Sequence, residues 1–399
     1  MMAKGKKTSV AAVLLFAASV RGLSAVARPL AEAPSVSLRP EKTLSLPFDE
    51  LTALVGGAGR ARSVWDAVRA GAEPVESELT TIGAKRSLLE VGCPSFVPAT
   101  LEEASVSRDG TTKLLVRLRD GLAVESVLIP HATLPRTTLC VSSQVGCDRG
   151  CRFCATARMG LVRQLSADEI LAQFAIARRV AAEAGGRMPP LTNVVFMGMG
   201  DAGCNPKHAT AAARCLTDPQ RFGFSRHRLT LSTVGPTPAA FHALAAAPGQ
   251  MAWSLHAADA ELRKRLVPTA GFEPEVLRDG LAEAVEAHRC ESSKDRAVMV
   301  AVTLLAGVND QLCHARELAA FVEPLRRRVP RLVVDLIPYN PVPGDVFERP
   351  GRAAVSAFQQ ELKRSDPTLF VGVRNARGDD EMAACGQLAT STTVTPSKS

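Results

Sequence analysis

Three cysteines, Cys147, Cys151 and Cys154, lie inside eight residues of the run Gly146-Cys147-Asp148-Arg149-Gly150-Cys151-Arg152-Phe153-Cys154. Thiolates at this C-x3-C-x2-C spacing can converge on one small inorganic object from a single tight loop, and Gly146 and Gly150 let the backbone wrap around it. A structural zinc site would want four protein ligands. No obvious histidine or fourth cysteine adjoins the run, so it fits a [4Fe–4S] cluster whose fourth iron stays open to a ligand. An open iron implies chemistry rather than plain electron storage. A zinc site completed from a distant part of the chain and three coincidentally buried thiols are the other readings the spacing allows.

The chain holds ten cysteines in 399 residues. In a chain this long, three so close together point to a metal or cluster rather than to a disulfide framework, and to a reducing compartment around the site. Cys140 sits on an apolar strand-like run, and Cys385 follows the segment Arg377-Gly378-Asp379-Asp380. Each has burial as its ordinary explanation. Cys93, Cys204, Cys215, Cys290 and Cys313 fall in no pattern and are read as core or surface thiols.

The elements that must position these groups form two regions. Residues 45–90 are helical and small: Pro47-Phe48-Asp49-Glu50-Leu51 opens a short helix that Gly56-Gly57 ends, and Ser63 to Ala70 forms another. Residues 111–129 alternate in polarity and break at Asp120-Gly121, which predicts a β-hairpin. The region 41–130 thus reads as a compact α+β accessory domain. Beyond it, strand-like runs at 137–143, 192–197, 228–233, 251–255, 297–304, 332–337 and 369–373 are separated by helical stretches. The clearest helix is 166–185, opened by the capping box of Ser166 and Glu169. Repeated strand–helix units predict a parallel sheet with helices outside it, an open or closed barrel over 131–388, with its chemistry at the C-terminal strand ends.

Lys and Arg together number 48 against 40 Asp plus Glu, a net charge of +8 that suits a polyanion such as RNA. Part of that excess belongs to the first 40 residues. There Lys4, Lys6, Lys7, Arg21 and Arg28 precede the first acidic residue, Glu32, and the apolar run Val10 to Val20 is too short to span a bilayer. Such a leader reads as an organellar (plastid or mitochondrial) targeting segment, leaving a mature form off the membrane. Residues 389–399 read as a disordered polar tail. Arg60 and Arg62 beside Gly56-Gly57 are candidates for a phosphate-binding turn or an ordinary solvated loop; Arg326-Arg327-Arg328 reads as a solvated helix face. With one Tyr and two Trp, stacking platforms for bases are scarce, so a target base would be held by cavity shape and polar contacts.

The stretch Thr138 to Gly160, TLCVSSQVGCDRGCRFCATARMG, carries C-x3-C-x-Phe-C and resembles the radical S-adenosylmethionine (SAM) superfamily, in particular its RlmN/Cfr family of RNA adenine methyltransferases. Further segments match along nearly the whole chain: NVVFMGMG (193–200), LTLSTVG (229–235), SLHA (254–257), ELRKRLVP (261–268), GVND (307–310), LIPYNPVPG (336–344) and RGDDEMAACGQL (377–388). The resemblance implies an α/β fold, a partial six-stranded (β/α) barrel behind a small N-terminal helical domain. Where the family usually has Gly-Glu-Pro, this chain has Gly200-Asp201-Ala202, and Gly203-Cys204 replaces apolar residues.

What the resemblance implies for the site is specific. Cys147, Cys151 and Cys154 would hold the cluster. Gly200, Asp201, Ser232, Ser254, Leu255, His256 and Asn340 would hold SAM. Cys385 would take a methyl group from one SAM, and a radical from a second would activate that S-methyl group, so two SAM serve each turnover. The carbon then joins C2 of an adenine. Glu125 would accept the ring proton and Cys140 would resolve the adduct by attack on the Cys385 sulfur, leaving a disulfide that must be reduced.

The expected substrate is large-subunit ribosomal RNA, with transfer RNA as a second target. The expected partner is a ferredoxin or flavodoxin donating electrons to a monomeric enzyme. Methylation at adenine C8 by the same residues, radical chemistry on a protein or metabolite, and a noncatalytic zinc-stabilised RNA-binding protein are the alternatives.

Overall fold

The computed structural model describes residues 42–288 and 297–390. The leader expected over 1–40, Cys290 and the tail beyond 390 lie outside the described residues.

Helix α1 (Phe48–Val55) ends where Gly56 turns left-handed at φ 75°, freeing the chain to start α2 (Ala58–Arg69) two residues later. The second helix therefore begins at Ala58 rather than at the expected Ser63. A third, α3 (Ile82–Glu90), is capped by the Thr81 side chain. Trp65 of α2 is fully buried and meets Phe96 and Phe222 edge-on at ring distances of 6.2 and 5.0 Å. Phe222 in turn meets Phe174 at 4.9 Å, so an aromatic cluster welds the helical region to the rest.

Strands β1 (Ala99–Val106), β2 (Thr112–Leu118), β3 (Ala123–Pro130) and β4 (Thr137–Cys140) run antiparallel to one another in sequence. The Asp120-Gly121 turn joins β2 to β3 as predicted, and β2 alternates buried Thr112, Leu114, Val116 and Leu118 with half-exposed neighbours. β1 had no clear period in the sequence. The boundary expected near residue 130 is not a gap in the fold, because β3 bonds directly to β4 (Val127 opposite Cys140) and one sheet runs through both regions.

After β4 come β5 (Gln144–Gly146), helix α4 (Ala155–Arg158) and β6 (Leu161–Gln164), a small hairpin-like staple around the cysteine loop. Helix α5 (Ala167–Glu183) follows, with both bonds of the Ser166–Glu169 capping box formed.

Six further strands, β7 (Leu191–Phe196), β8 (Leu229–Thr233), β9 (Gln250–Ser254), β10 (Ala297–Leu304), β11 (Arg331–Pro338) and β12 (Phe370–Val373), extend the sheet from β4 in sequence order, each parallel to the last. Helices α6 (Pro206–Thr217), α7 (Pro238–Ala245), α8 (Ala260–Leu266), α9 (Pro274–Ala287), α10 (Leu312–Arg328) and α11 (Arg352–Ser365) lie between them. Counting β4, the parallel part has seven strands, one more than the six implied, because the four residues of β12 also pair. The sheet curls: Arg374, just past β12, reaches the sulfur of Met197, just past β7, at 3.6 Å. This is a partial α/β barrel.

Candidate active site

The parallel strands end around one cleft with about 980 Å³ of empty space, its mouth included. Its walls follow the strand ends in order: Met197 to Asp201 after β7, Ser232 and Val234 at β8, Ser254 and His256 at β9, Tyr339 and Asn340 after β11. Cys147, Cys151 and Cys154 line the same cleft, and so does Cys385, contributed by the irregular segment after β12.

The cysteine loop is pinned at its base. The Cys147 N–H donates to the Gly160 carbonyl at 2.9 Å, and a Cβ on Gly146, whose φ is 76°, would stand 1.8 Å from that same carbonyl oxygen. Only glycine fits there. Burial pushes the Cys147 thiol up to about 12 and Cys151 well above its usual range, and the neighbouring thiols of the triplet add to both. The Arg149 N–H points at the Cys147 sulfur at 3.4 Å, a donor suited to a thiolate.

Among the described residues no three His, Cys, Asp or Glu side chains close about one point as a single metal ion requires. Three crowded, water-poor thiols lining one wide cleft are a donor set that fits a larger [4Fe–4S] cluster, with Cys147, Cys151 and Cys154 as its holders.

The other expected residues divide. Gly200, at φ 87°, has no room for a side chain, since a Cβ would lie 2.5 Å from Gln144. Asp201 is buried and lines the cleft, but its two oxygens accept the Gly203 and Val234 N–H groups at 2.7 Å each. Burial raises its carboxyl pKa against those bonds and one from Thr233. The shorter carboxylate thus also ties β7 to β8.

His256 is held at φ 68°, a strained conformation for a residue with a side chain. Its Nδ1 accepts the Thr303 N–H at 3.3 Å, and burial, then the nearby Arg263, drop its pKa to about 3. The ring is neutral. Asn340 lines the cleft and donates from Nδ2 to the Cys385 carbonyl at 3.0 Å, so it also holds the loop of that cysteine.

Leu255 does not reach the cleft: its side chain is fully buried in the main core, and only its backbone serves the site, its carbonyl accepting from Arg263. Glu125 stands beside the cleft rather than in its wall. Its carboxylate pairs with Lys113 at 3.3 Å and accepts the Ala389 N–H at 2.9 Å, while burial raises its pKa. Cys140 is buried on β4. Burial lifts its thiol to about 12, the Cys385 charge adds to that, and Arg374 opposes both. Cys385 is exposed and lines both the cleft and a smaller neighbouring cavity.

Three side chains of the site lack an assigned role in the sequence reading. Arg263 of α8 is fully buried and donates to the carbonyls of Val234, Ser254 and Leu255, binding the ends of β8 and β9. Its place inside ELRKRLVP is the only signal for it. Gln144 accepts the Asp201 N–H at 2.8 Å, and Arg374 pairs with Asp335 inside the barrel. The Arg60 guanidinium donates to the Val55 carbonyl at 3.1 Å and closes the end of α1, while the residue keeps exposed surface. Arg326, Arg327 and Arg328 pair with Asp366, Glu323 and Glu286, an ion-paired helix end.

A curled parallel sheet with three thiols at its C-terminal rim defines a radical SAM enzyme, and residues 141–313 match the model of the Radical SAM superfamily. The chain is 41% identical over 281 residues to the dual-specificity RNA methyltransferase RlmN of Syntrophobacter fumaroxidans, covering 70% of this chain and 77% of that protein. It is 36% identical over 357 residues to RlmN of Nitratidesulfovibrio vulgaris, covering 87% and 94%. A crystal structure of a radical SAM methyltransferase from Sphaerobacter thermophilus superimposes with a TM-score of 0.73 at 35% identity, over 86% of this chain and 98% of that one. The chain belongs to the RlmN/Cfr family of radical SAM methyltransferases. That family uses a [4Fe–4S] cluster and SAM.

Proposed function

We propose that the protein methylates carbon C2 of an adenine in RNA, using Cys385 as the methyl carrier and two SAM per turnover. One observation carries this reading: Cys385 opens into the same cleft as Cys147, Cys151 and Cys154. The bound cluster supplies the electron that cleaves SAM. Everything else falls to the chain. Asp201, Ser232, Ser254, His256 and Asn340 line the space for SAM, with Gly200 admitting close backbone approach. The Cys385 sulfur accepts the methyl group and presents it to the ring carbon.

Adenine C2 is not nucleophilic, so a carrier on the protein is needed to deliver carbon at the radical level. Glu125 is the group that takes the ring proton; burial raises its pKa, and its carboxylate stands beside the cleft, accepting the N–H of Ala389, the residue after Leu388 of the cleft wall. Cys140, close enough to respond to the charge of Cys385, attacks that sulfur to free the product, and the resulting disulfide needs a two-electron reductant. The RNA is large-subunit ribosomal RNA or also transfer RNA, in keeping with the dual-specificity relatives. A ferredoxin or flavodoxin supplies the electrons. Residues 1–40 serve as an organellar leader, and N-terminal sequencing of the protein from its cell tests that.

The experiment is anaerobic reconstitution with iron and sulfide, then incubation with isotopically labelled SAM and ribosomal RNA, followed by nucleoside mass analysis. The expected product is labelled 2-methyladenosine. Labelled 8-methyladenosine would move the reaction to C8, and unlabelled RNA from brown, SAM-cleaving protein would overturn RNA as the substrate.

A further inference from the structure

The segment that carries Cys385, from Arg374 to Ala389, contains no strand and no α-helix, only a three-residue helical turn at Asp379–Glu381. No ladder fixes it. Its position comes from hydrogen bonds outside any ladder, and the densest set of those made by side chains comes from the turn joining β1 to β2 in the accessory region.

That contact is reciprocal. Asp380 accepts hydrogen bonds from the Ser107 hydroxyl and from the Arg108 N–H at 3.1 Å. In the other direction Asp109 accepts the Gly378 N–H at 3.1 Å and pairs with Arg377 at 3.5 Å. Its other oxygen accepts the Thr111 N–H at 2.9 Å, so one carboxylate spans both turns. The fit is close: a Cβ on Gly378 would meet Thr111 and Ala383 side-chain carbons at 2.8 Å each. From there the position passes rigidly onward. The Ala383 N–H donates to the Gly378 carbonyl at 2.9 Å, and Gln387, on the far side of Cys385, donates to Asp379 at 2.8 Å and accepts the Ala384 N–H at 3.1 Å.

We propose that Asp109 and Asp380 are positioning residues, a clamp by which the β1–β2 turn sets where the Cys385 sulfur stands in the cleft. The inference rests on the reading of Cys385 as methyl carrier. Neither carboxylate lines the SAM cleft, so the clamp acts on the destination of the carbon and not on SAM cleavage. Hydrogen bonds from Ser107 and the Arg108 backbone hold the Asp380 carboxyl below its usual range. The clamp is therefore charged at neutral pH at that end.

The test uses the full chain, reconstituted anaerobically, with SAM and ribosomal RNA, and reads 5′-deoxyadenosine formed per methyl group entering RNA. In Asp109→Ala and Asp380→Ala that ratio should rise about tenfold or more, because displacing a reacting group by about 1 Å is costly. Total 5′-deoxyadenosine and iron content should hold, and Asp109→Asn, which keeps one acceptor oxygen but loses the second and the Arg377 pair, should fall between wild type and Asp109→Ala. An unchanged ratio in both alanine variants overturns the clamp, whether activity is kept or SAM cleavage and methylation fall together through misfolding. Cys385→Ala in the same assay separates the two claims: if it still methylates RNA, the carrier reading fails, not the clamp alone.

Discussion

The N–H of Ala155, the residue after the third cysteine of the triplet, donates a 2.7 Å hydrogen bond to the carbonyl of Gly386, the residue after Cys385. At the next residue, the buried Thr156 hydroxyl donates to the Leu388 carbonyl at 2.6 Å. The loop of the triplet and the loop of Cys385 are therefore one hydrogen-bonded unit. Thr156→Val keeps the shape and leaves a buried carbonyl unpaired, a cost of about 1–3 kcal/mol. Part of that cost should appear locally. In cluster-free protein, iodoacetamide should label Cys385 faster in Thr156→Val than in wild type, as read by peptide mass; equal rates would mean the loop is held elsewhere.

Gly146 is the position where the cysteine loop tolerates least. Its left-handed φ of 76° and the 1.8 Å approach of a would-be Cβ to the Gly160 carbonyl leave alanine no place. Gly150 shares the left-handed backbone, at φ 66°, but its would-be Cβ has 3.7 Å to the nearest carbon. Gly146→Ala should lose most of its iron on reconstitution, whereas Gly150→Ala should keep much of it. Iron analysis and the brown absorbance decide this.

What could be read from the chain followed how local each feature is. The Ser166–Glu169 capping box and the Asp120-Gly121 turn are each fixed by residues a few positions apart and stand as read, and the equally local triplet brings its three thiols to one cleft. β1 was hidden because Glu102 and Glu103 interrupt its pattern where the register also shifts, between Leu101 and Glu103. Within the motif from Ser254 to His256 only the outer two side chains line the cleft, because Leu255 turns its own into the core and leaves just its backbone to the site. Arg263 and Arg374 have meaning only once distant strand ends meet, as does the Glu125–Lys113 pair across β2 and β3. No spacing along the chain announces such contacts.

Glu125 predicts a pH effect with a definite sign. Burial raises its carboxyl above the ordinary value of 4.5, outweighing Lys113 and the Ala389 N–H. The folded state then binds the proton more tightly than the unfolded state does. Stability from this group is full below about pH 4.5 and is lost as pH rises through the folded value. Glu125→Gln removes that term, so its unfolding midpoint in urea should fall less than wild type's between pH 4.5 and pH 7, the window above the ordinary value. Parallel curves would show that the carboxyl titrates in the folded protein as it does in the unfolded chain, with no raised value.

Arg263 carries a charge with almost no water around it, 1% exposed, and spends it on three main-chain carbonyls instead of a carboxylate. Arg263→Met keeps the bulk, relieves the buried charge and strands those carbonyls. With about 1–3 kcal/mol for each acceptor left unpaired and some return from losing the charge, the net loss should be about 2–4 kcal/mol. Urea unfolding of the cluster-free protein measures it, and a loss under about 1 kcal/mol would mean water replaces the guanidinium.

Asn340 stands between the two halves of the site. Its Nδ2 donates to the Cys385 carbonyl at 3.0 Å, and its Oδ1 accepts from Arg349 at 3.1 Å, which itself holds Asp379 at 2.8 Å. Asn340→Asp is nearly isosteric and keeps the bond to Arg349, but it turns an oxygen toward the Cys385 carbonyl where a donor stood. Two acceptors facing each other push the loop away from the cleft. Methyl transfer to RNA should fall by about tenfold to a hundredfold, as expected for a displaced reacting group. Asn340→Ser, too short to reach yet free of repulsion, should fall less. A single-turnover assay of protein already methylated on Cys385 isolates this step from methyl loading, and equal rates for the two variants would show that contact with SAM, not the hold on Cys385, is what Asn340 contributes.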